Sequence, residues 1–218
     1  MNYQMTELVF ILDRSGSMGG LESDTIGGFN SLLAEQQAKP GQCRLTTVLF
    51  DDRYEMLHDR IDIGAVKPMC DRQYFVRGST ALLDAVGKTI RKLVDVQRST
   101  AEEYRAGKVL FVITTDGMEN ASRKHTHADI KRMIEHQKTK YDWEFIFMGA
   151  NIDAVEVAES IGIKKNRAQN FHSDHLGVPV CYGAVSNAIG GFRDAARGVS
   201  IGDDWSVEIQ KDFESRKK

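Results

Sequence analysis

The sequence predicts a single α/β domain with a doubly wound, Rossmann-like architecture, in which helices cover both faces of a mostly parallel sheet. Apolar runs alternate with segments whose apolar residues recur at helical spacing, which is the pattern of repeated βα units. Three runs, 6–12, 108–115 and 143–149, are almost continuously apolar, as expected of parallel strands buried on both faces. We assign residues 1–200 to this domain and the polar residues 201–218 to a loosely docked C-terminal tail.

Three further strands complete the predicted sheet. Residues 43–50 and 53–58 are separated by Asp51 and Asp52, a turn signal, and this arrangement predicts a hairpin. The second strand of the hairpin then lies antiparallel at the edge of the sheet, which is common in mostly parallel sheets. A weaker pattern over 167–172 indicates the last strand.

Helical segments fill the gaps between the strands. Pro40 and Gly41 end the first helix, because neither residue continues a helix well. Thr126 and Asp129 have the spacing of a capping box at the start of the third helix. The predicted helices span 21–38, 80–97, 127–139, 153–161 and about 177–196.

Composition limits the classes of function. The 218 residues carry a formal net charge of −2 without a long basic run, so nucleic acid is not an expected partner. No apolar stretch approaches the ~20 residues that span a bilayer, and the first apolar run is too short for a signal peptide. Three widely spaced cysteines indicate reduced thiols in a cytoplasmic protein.

A polar hexapeptide directly follows the first predicted strand. It reads Asp13-Arg14-Ser15-Gly16-Ser17-Met18. One carboxylate and two hydroxyls at the end of a buried strand are hard oxygen ligands of the kind that suits Mg²⁺ or Mn²⁺. Ligands of open α/β sheets also bind at the carboxyl ends of the strands. This hexapeptide therefore predicts the first part of a metal site.

Two further polar groups stand at comparable junctions. Thr80 follows a glycine turn at the start of the second helix, and Asp116 follows the fourth strand as Asp13 follows the first. If these two strands are neighbours, the two carboxylates lie close together and repel each other unless a cation lies between them. The alternative is that Ser15, Ser17 and Asp116 only cap the segments that follow them.

In these residues the chain resembles the von Willebrand factor A domains. The resemblance is carried by Asp13-x-Ser15-Gly16-Ser17, by Thr80 within Gly78-Ser79-Thr80, and by Asp116 within Thr115-Asp116-Gly117. It implies a stand-alone, bacterial-type domain with a metal-ion-dependent adhesion site. By this resemblance Ser15 and Ser17 bind the ion directly, Thr80 binds it when a partner is engaged, and the two aspartates bind it directly or through water. The resemblance also implies a mostly parallel sheet with one antiparallel edge strand.

Three classes of function fit such a site. In a binding module, the ion keeps one position open for a Glu or Asp of a protein partner. A metal-dependent phosphatase or phosphotransferase would also place an aspartate after its first strand, but it commonly needs a second acid at the position of Ser15. A third alternative is a regulatory subunit of an AAA-type ATPase assembly. We expect a non-enzymatic protein-interaction module whose cofactor is Mg²⁺, or Mn²⁺ or Ca²⁺.

Other polar residues near the motifs are assigned structural or solvent-exposed roles. Glu119 is either a solvated loop acid or a residue that holds a metal-bound water. We further expect outward-pointing side chains at Arg14 and Met18, turn residues at Asp51 and Asp52, exposed histidines at His125 and His127, and a helix-surface pair of Asp84 with Lys88.

Overall fold

The computed structural model describes residues 1–196 and 198–216, and it confirms the predicted sheet. The strands are β1 (Asn2–Asp13), β2 (Gln42–Phe50), β3 (Tyr54–Asp62), β4 (Ala106–Thr115), β5 (Glu144–Gly149) and β6 (Ala168–Asn170). Their order across the sheet is β3-β2-β1-β4-β5-β6. β1 pairs in parallel with both β2 and β4, and β3 pairs antiparallel with β2 at the edge. The hairpin and the antiparallel edge strand are therefore both confirmed.

The helices agree with the predicted segments and add one at the C-terminus. They are α1 (Glu22–Ala38), α2 (Leu82–Ser99), α3 (His127–Tyr141), α4 (Ala154–Ser160), α5 (Gly177–Asp194) and α6 (Val207–Ser215). The capping box of α3 is present, because Asp129 N donates to Thr126 Oγ1 at 3.2 Å and Thr126 N donates to Asp129 Oδ2 at 2.9 Å. Among the described residues, no helix has the length and apolar character needed to cross a membrane.

The central strand β1 is buried on both faces, which explains its unbroken apolar sequence. Successive side chains of a strand point to opposite faces. Phe10 and Leu12 accordingly belong to the core cluster that includes residues of α1, α5 and α6. Val9 and Ile11 belong to the other cluster, which includes residues of α2, α3 and α4. This packing places the carboxyl-terminal ends of β1 and β4 next to each other. The edge of the sheet at which the site lies is the one formed by the carboxyl-terminal ends of these strands.

Strand β3 extends past its predicted end at residue 58. The pairing register with β2 shifts twice, between Leu45 and Thr47 and between Thr47 and Val48. At this irregularity Arg60 adopts a φ of 51°, and its guanidinium forms an ion pair with the buried Glu7 of β1. The polar residues after position 58 therefore continue the edge strand, because pairing with β2 and an ion pair compensate for a weak strand pattern.

The C-terminal segment differs from the expected loosely docked tail. Ile201, Trp205 and Ile209 are buried in the same core cluster as residues of α1 and α5. Ile201 precedes the short 3-10 helix Asp203–Ser206 that contains Trp205, and Ile209 lies in α6, so single apolar side chains anchor a segment that is otherwise polar. The expectation of loose docking is wrong for residues 201–216, whereas residues 217–218 lie outside the described part of the chain.

We expect Trp205→Ala to lower the free energy of unfolding by about 3 kcal/mol, because the substitution empties a buried indole site. It also removes the hydrogen bond that Trp205 Nε1 donates to the carbonyl of Asn166 at 2.8 Å. Urea unfolding followed by circular dichroism measures this loss. The control is Val207→Ala, since Val207 is 38% exposed. Equal and small losses in the two variants would show that the segment does not stabilise the core.

Candidate metal centre

The ends of β1 and β4 bring the first predicted ligand into a rigid position. Leu12 pairs with Thr114 in the parallel ladder, so Asp13 lies beside Thr115. The Thr115 hydroxyl donates to Asp13 Oδ2 at 2.6 Å, and Ser15 N donates to Asp13 Oδ1 at 2.7 Å. The buried carboxylate is thus oriented from both sides before any ion binds.

Backbone hydrogen bonds join the loop after β1 to the glycine turn before α2. Gly16 N donates to the carbonyl of Gly78 at 3.1 Å, and Arg77 N donates to the carbonyl of Arg14 at 2.9 Å. Gly78 has a φ of 66°, and a Cβ at this position would lie 2.2 Å from Asp52 Oδ1. Because only glycine fits this turn, the two loops can approach closely enough for their hydroxyls to meet.

Three hydroxyls cluster at this junction. Thr80 Oγ1 donates to Ser15 Oγ at 2.9 Å, and the hydroxyl oxygens of Ser15 and Ser17 are 3.0 Å apart. Neither serine caps α1, which begins after Leu21 and has no side-chain cap. For the two serines, the capping alternative is therefore wrong.

Asp116 is held by an asparagine beyond β5. Asn151 Nδ2 donates to Asp116 Oδ1 at 2.5 Å. The next residue, Gly117, leaves room beside the hydroxyls, since a Cβ there would lie 2.8 Å from Ser17 Oγ and 3.1 Å from Thr80 Oγ1. The described structure thus brings all five predicted ligand residues to one edge of the sheet.

Burial gives the two carboxyls unusual acidities in the metal-free protein. Burial raises the pKa of Asp13, although hydrogen bonds from Thr115 and Ser15 oppose the shift. Burial also raises the pKa of Asp116 to about 6, against the hydrogen bond from Asn151 and with the help of the Asp13 charge. Two buried acids that disfavour each other's ionisation are suited to a cation, which would relieve that repulsion.

The donor set fits a hard divalent cation. Within residues 1–196 and 198–216, no three His, Cys, Asp or Glu side chains form a group that could hold a metal ion. A cation at this edge would therefore rely on hydroxyl oxygens as well as on the carboxyls of Asp13 and Asp116. Oxygen-only donors favour Mg²⁺, Ca²⁺ or Mn²⁺ over softer ions.

Arg14 and Met18 do not point outward, so that prediction is wrong. Arg14 is fully buried, and its Nε and Nη2 contact Asp51 at 3.1 Å and Glu55 at 2.7 Å. Met18 is buried in the core cluster that includes residues of α1. The sequence predicts an exposed side chain for Arg14, because its acidic partners lie 37 and 41 residues away in the chain and leave no local pattern.

Asp51 has a larger role than that of a turn residue. It also receives a hydrogen bond from Arg77 Nε at 2.6 Å and one from Arg53 N at 2.6 Å. Although burial favours the neutral acid, these bonds and the charges of Arg14 and Arg77 hold the pKa of Asp51 below its usual value. The ionised Asp51 therefore joins the end of β2 to the residues that flank both site loops.

Several other predictions for loop residues are wrong. His125 is buried rather than exposed, and its Nδ1 contacts Asp84 Oδ1 at 2.9 Å, whereas His127 is exposed as expected. Asp84 thus binds His125 instead of Lys88. Glu119 is not a solvated acid, since it accepts hydrogen bonds from Leu83 N at 2.9 Å and from the following loop.

Three residues that hold the predicted ligands were assigned no role from the sequence. Thr115 and Asn151 orient the two aspartates, and the Tyr74 hydroxyl donates to the carbonyl of Asp13 at 2.5 Å. A signal existed for Asn151, because it stands two residues after the end of the buried strand β5, much as Asp116 directly follows β4. The interior position of Tyr74 has no comparable sequence signal.

We expect the metal-free protein to lose stability as pH rises through about 6, where Asp116 ionises. A carboxyl whose folded pKa is raised contributes its stability fully below the ordinary value of 3.8 and loses it above the folded pKa. Asp116→Asn removes this loss, so the variant should gain on the order of 2 kcal/mol over wild type between about pH 5 and about pH 7.5. Urea unfolding in EDTA measures the difference. A constant difference between the two proteins over this range would contradict the raised pKa.

Comparisons with known proteins identify the fold. No protein-family model matches the chain, and no curated protein matches it. Among solved structures, the chain is similar to proximal thread matrix protein 1 from the mussel byssus with a zinc-occupied MIDAS motif, at 13% identity and a TM-score of 0.58. The alignment covers 85% of this chain and 46% of that one, so the chain spans less than half the length of this relative.

Two bacterial structures show the same likeness. One is a von Willebrand factor type A protein from Catenulispora acidiphila, at 13% identity, with 85% of this chain and 42% of that chain covered and a TM-score of 0.54. The other is the vWF domain of the type V pili tip protein Mfa5 from Porphyromonas gingivalis, at 10% identity, with 88% and 97% covered and a TM-score of 0.60. At these identities the likeness concerns the fold, and the chain has the fold of the von Willebrand factor A domains.

Proposed function

We propose that this chain binds one divalent cation through Asp13, Ser15, Ser17, Thr80 and Asp116, and that it uses the ion to bind a carboxylate of a protein partner. The hydroxyl cluster carries the proposal. The Ser15 hydroxyl lies 2.9 Å from that of Thr80 and 3.0 Å from that of Ser17, near the ends of two paired strands that are each associated with an aspartate. Such a cluster serves no helix cap, and its chemistry matches hard cations.

The proposed binding of a partner carboxylate follows from coordination and charge. Mg²⁺ prefers near-octahedral oxygen coordination and gives up its waters reluctantly. Five protein side chains, some acting through water, leave one position for an external ligand. Because only two of the five residues, Asp13 and Asp116, are acids, the bound ion keeps enough positive charge to attract a further carboxylate. We propose Mg²⁺ as the ion, with Mn²⁺ and Ca²⁺ as alternatives.

The proposed ligands are held in place by a second layer of contacts. Thr115 and Asn151 orient the aspartates, and the backbone of Thr80 is fixed by Asn120, whose Oδ1 accepts from Thr80 N at 3.0 Å. Asn120 N in turn donates to the carbonyl of Thr80 at 3.0 Å. A site built in this way loses little conformational entropy when the ion binds.

We also propose that the chain is not an enzyme and acts in the cytoplasm. A phosphatase that follows the usual pattern would need a general acid at position 15, where this chain has Ser15, whose hydroxyl oxygen accepts a hydrogen bond from Thr80 Oγ1. The cytoplasmic location is supported by three free cysteines, Cys43, Cys70 and Cys181. Assays of a phosphoester panel with Mn²⁺, and fractionation of source cells, test the two proposals.

We expect isothermal titration of the wild type with Mg²⁺ or Mn²⁺ to show one binding site that Asp13→Ala abolishes. The substitution removes one of only two carboxylates, and the affinity should fall by at least about 100-fold, which corresponds to about 3 kcal/mol. The matched control is Asp71→Ala, which removes an exposed acid outside the proposed set. Unchanged binding in Asp13→Ala, or no binding by the wild type, would refute the site.

We expect Thr80→Ala to weaken the binding of a partner more than the binding of the metal. By the resemblance, the Thr80 hydroxyl joins the ion mainly in the engaged state, and a charge-assisted contact of this kind is worth about 1.5–3 kcal/mol. Partner affinity should therefore fall about ten- to a hundredfold. The probe is a protein captured with Mg²⁺ and released by EDTA, measured by surface plasmon resonance against wild type and variant.

Two results would contradict this account of Thr80. Equal losses of metal and partner affinity would make Thr80 an ordinary ligand. Metal-dependent phosphoester turnover that Asp13→Ala abolishes would replace the binding module with an enzyme.

A further inference from the structure

A surface cavity of about 890 Å³ lies directly beside Thr80. Ser79 and Ala81, which flank Thr80 in the chain, line this cavity together with Asn120. Asn120 is also the residue that fixes the backbone of Thr80. The cavity therefore begins one residue away from a proposed metal ligand and shares its supporting contacts.

The cavity is strongly basic, and we refer to it as the basic cavity. Its cationic lining residues are Arg53, Lys88, Arg91, Arg123 and Lys124, against two acids, Asp52 and Asp84. All five cationic residues are exposed. Within the described part of the chain, none of the five side chains forms an ion pair. Lys88 lies over the ring of Tyr54, with Nζ 3.9 Å from the ring centroid.

Asp84 shapes the basic cavity more than it neutralises it. Its carboxylate accepts hydrogen bonds from the backbone N–H groups of Arg123 at 2.8 Å, Lys124 at 3.0 Å and His125 at 2.9 Å. These bonds fold the loop so that the side chains of Arg123 and Lys124 line the cavity. The carboxylate of Asp84 therefore binds the loop backbone, and the cationic side chains of the cavity remain available to bind an anion.

The N–H groups of Leu83 and Asp84 in the first turn of α2 are already satisfied, so they do not provide the anion site. Leu83 N donates to Glu119 Oε2 at 2.9 Å, and Asp84 N donates to Ser122 Oγ at 3.0 Å. Binding of an anion in this cavity must therefore depend on the dispersed cationic side chains. Dispersed charges around a large cavity match several separate carboxylates better than one compact phosphate group.

We infer that the basic cavity binds an acidic segment of the protein partner, in which further Asp or Glu residues flank the carboxylate that binds the metal. This inference rests on the proposed function and specifies its partner. The metal supplies one strong, short-range contact, and the basic cavity supplies weaker contacts that favour acidic sequences and speed association. We place both contacts within reach of one extended segment, because Ser79 and Ala81 of the cavity lining flank Thr80 in the chain.

The experiment uses a fluorescent decapeptide of glutamates, with a glutamine decapeptide as its neutral control, in fluorescence anisotropy. The test variant is R123Q/K124Q, which removes two cationic side chains but keeps the backbone N–H groups that Asp84 binds. The matched control is K140Q/K211Q, which makes the same change in charge outside the basic cavity. Equal melting temperatures confirm that both variants fold.

We expect R123Q/K124Q to bind the glutamate peptide about 3- to 10-fold more weakly than wild type in Mg²⁺, whereas K140Q/K211Q binds like wild type. Binding to wild type should weaken as NaCl rises from about 50 to about 300 mM, because exposed charges are screened. In EDTA, wild type should keep weak binding that R123Q/K124Q loses.

The arms separate this inference from the proposed function. Metal-dependent binding of the peptide that is unaffected in R123Q/K124Q would overturn the inference and leave the metal-binding module intact. Binding that is sensitive to the variant but equal in Mg²⁺ and EDTA would support the basic cavity and overturn the metal-bridged contact. Inorganic tripolyphosphate that binds in the cavity while the glutamate peptide does not would make it a phosphate site and overturn the assignment to an acidic protein segment.

Discussion

The hydrogen bond between Thr115 and Asp13 is the contact on which the rest of the site depends. It joins the ends of two parallel strands whose side chains are buried on both faces, so neither strand can shift without disturbing the core. The same contact fixes the carboxylate that the following loop uses, because Ser15 N donates to the other oxygen of Asp13. The rigidity of the sheet is thereby transmitted to a polar loop at its edge.

An ion network with a buried centre, formed by Arg14 and Asp51, supports this loop from the side of β2 and β3. Arg14 lies between Asp51 and Glu55, and Arg77 contacts the same two acids from the glycine turn. Removing Asp51 would leave the buried charge of Arg14 with only the partly exposed Glu55 as a partner, which is destabilising. The two site loops are therefore coupled by ion pairs as well as by their backbone hydrogen bonds.

The two buried carboxyls that are proposed to bind the cation lower the stability of the metal-free protein. Two buried carboxyls with raised pKa values are unfavourable in the metal-free protein at neutral pH, and hydrophobic packing elsewhere must compensate for them. The core clusters on the two faces of the sheet supply that compensation. They contain none of the proposed ligands, so their packing does not depend on whether an ion is bound. In such a domain the hydrophobic core maintains the fold, and the residues at the strand ends can be arranged to bind a cation.

The sequence predicts the strands, most helix limits and the five polar residues of the proposed site, because burial on both faces and glycine turns leave local patterns. It also determined that the hydroxyls and acids converge, once parallel strands were inferred. Only the folded chain shows that Arg14 is buried, that Asn151 and Tyr74 hold the aspartates, and that Ile201, Trp205 and Ile209 pack into the core. These contacts join residues that are far apart in the chain, and a local sequence pattern cannot predict a partner that comes close only when the chain folds.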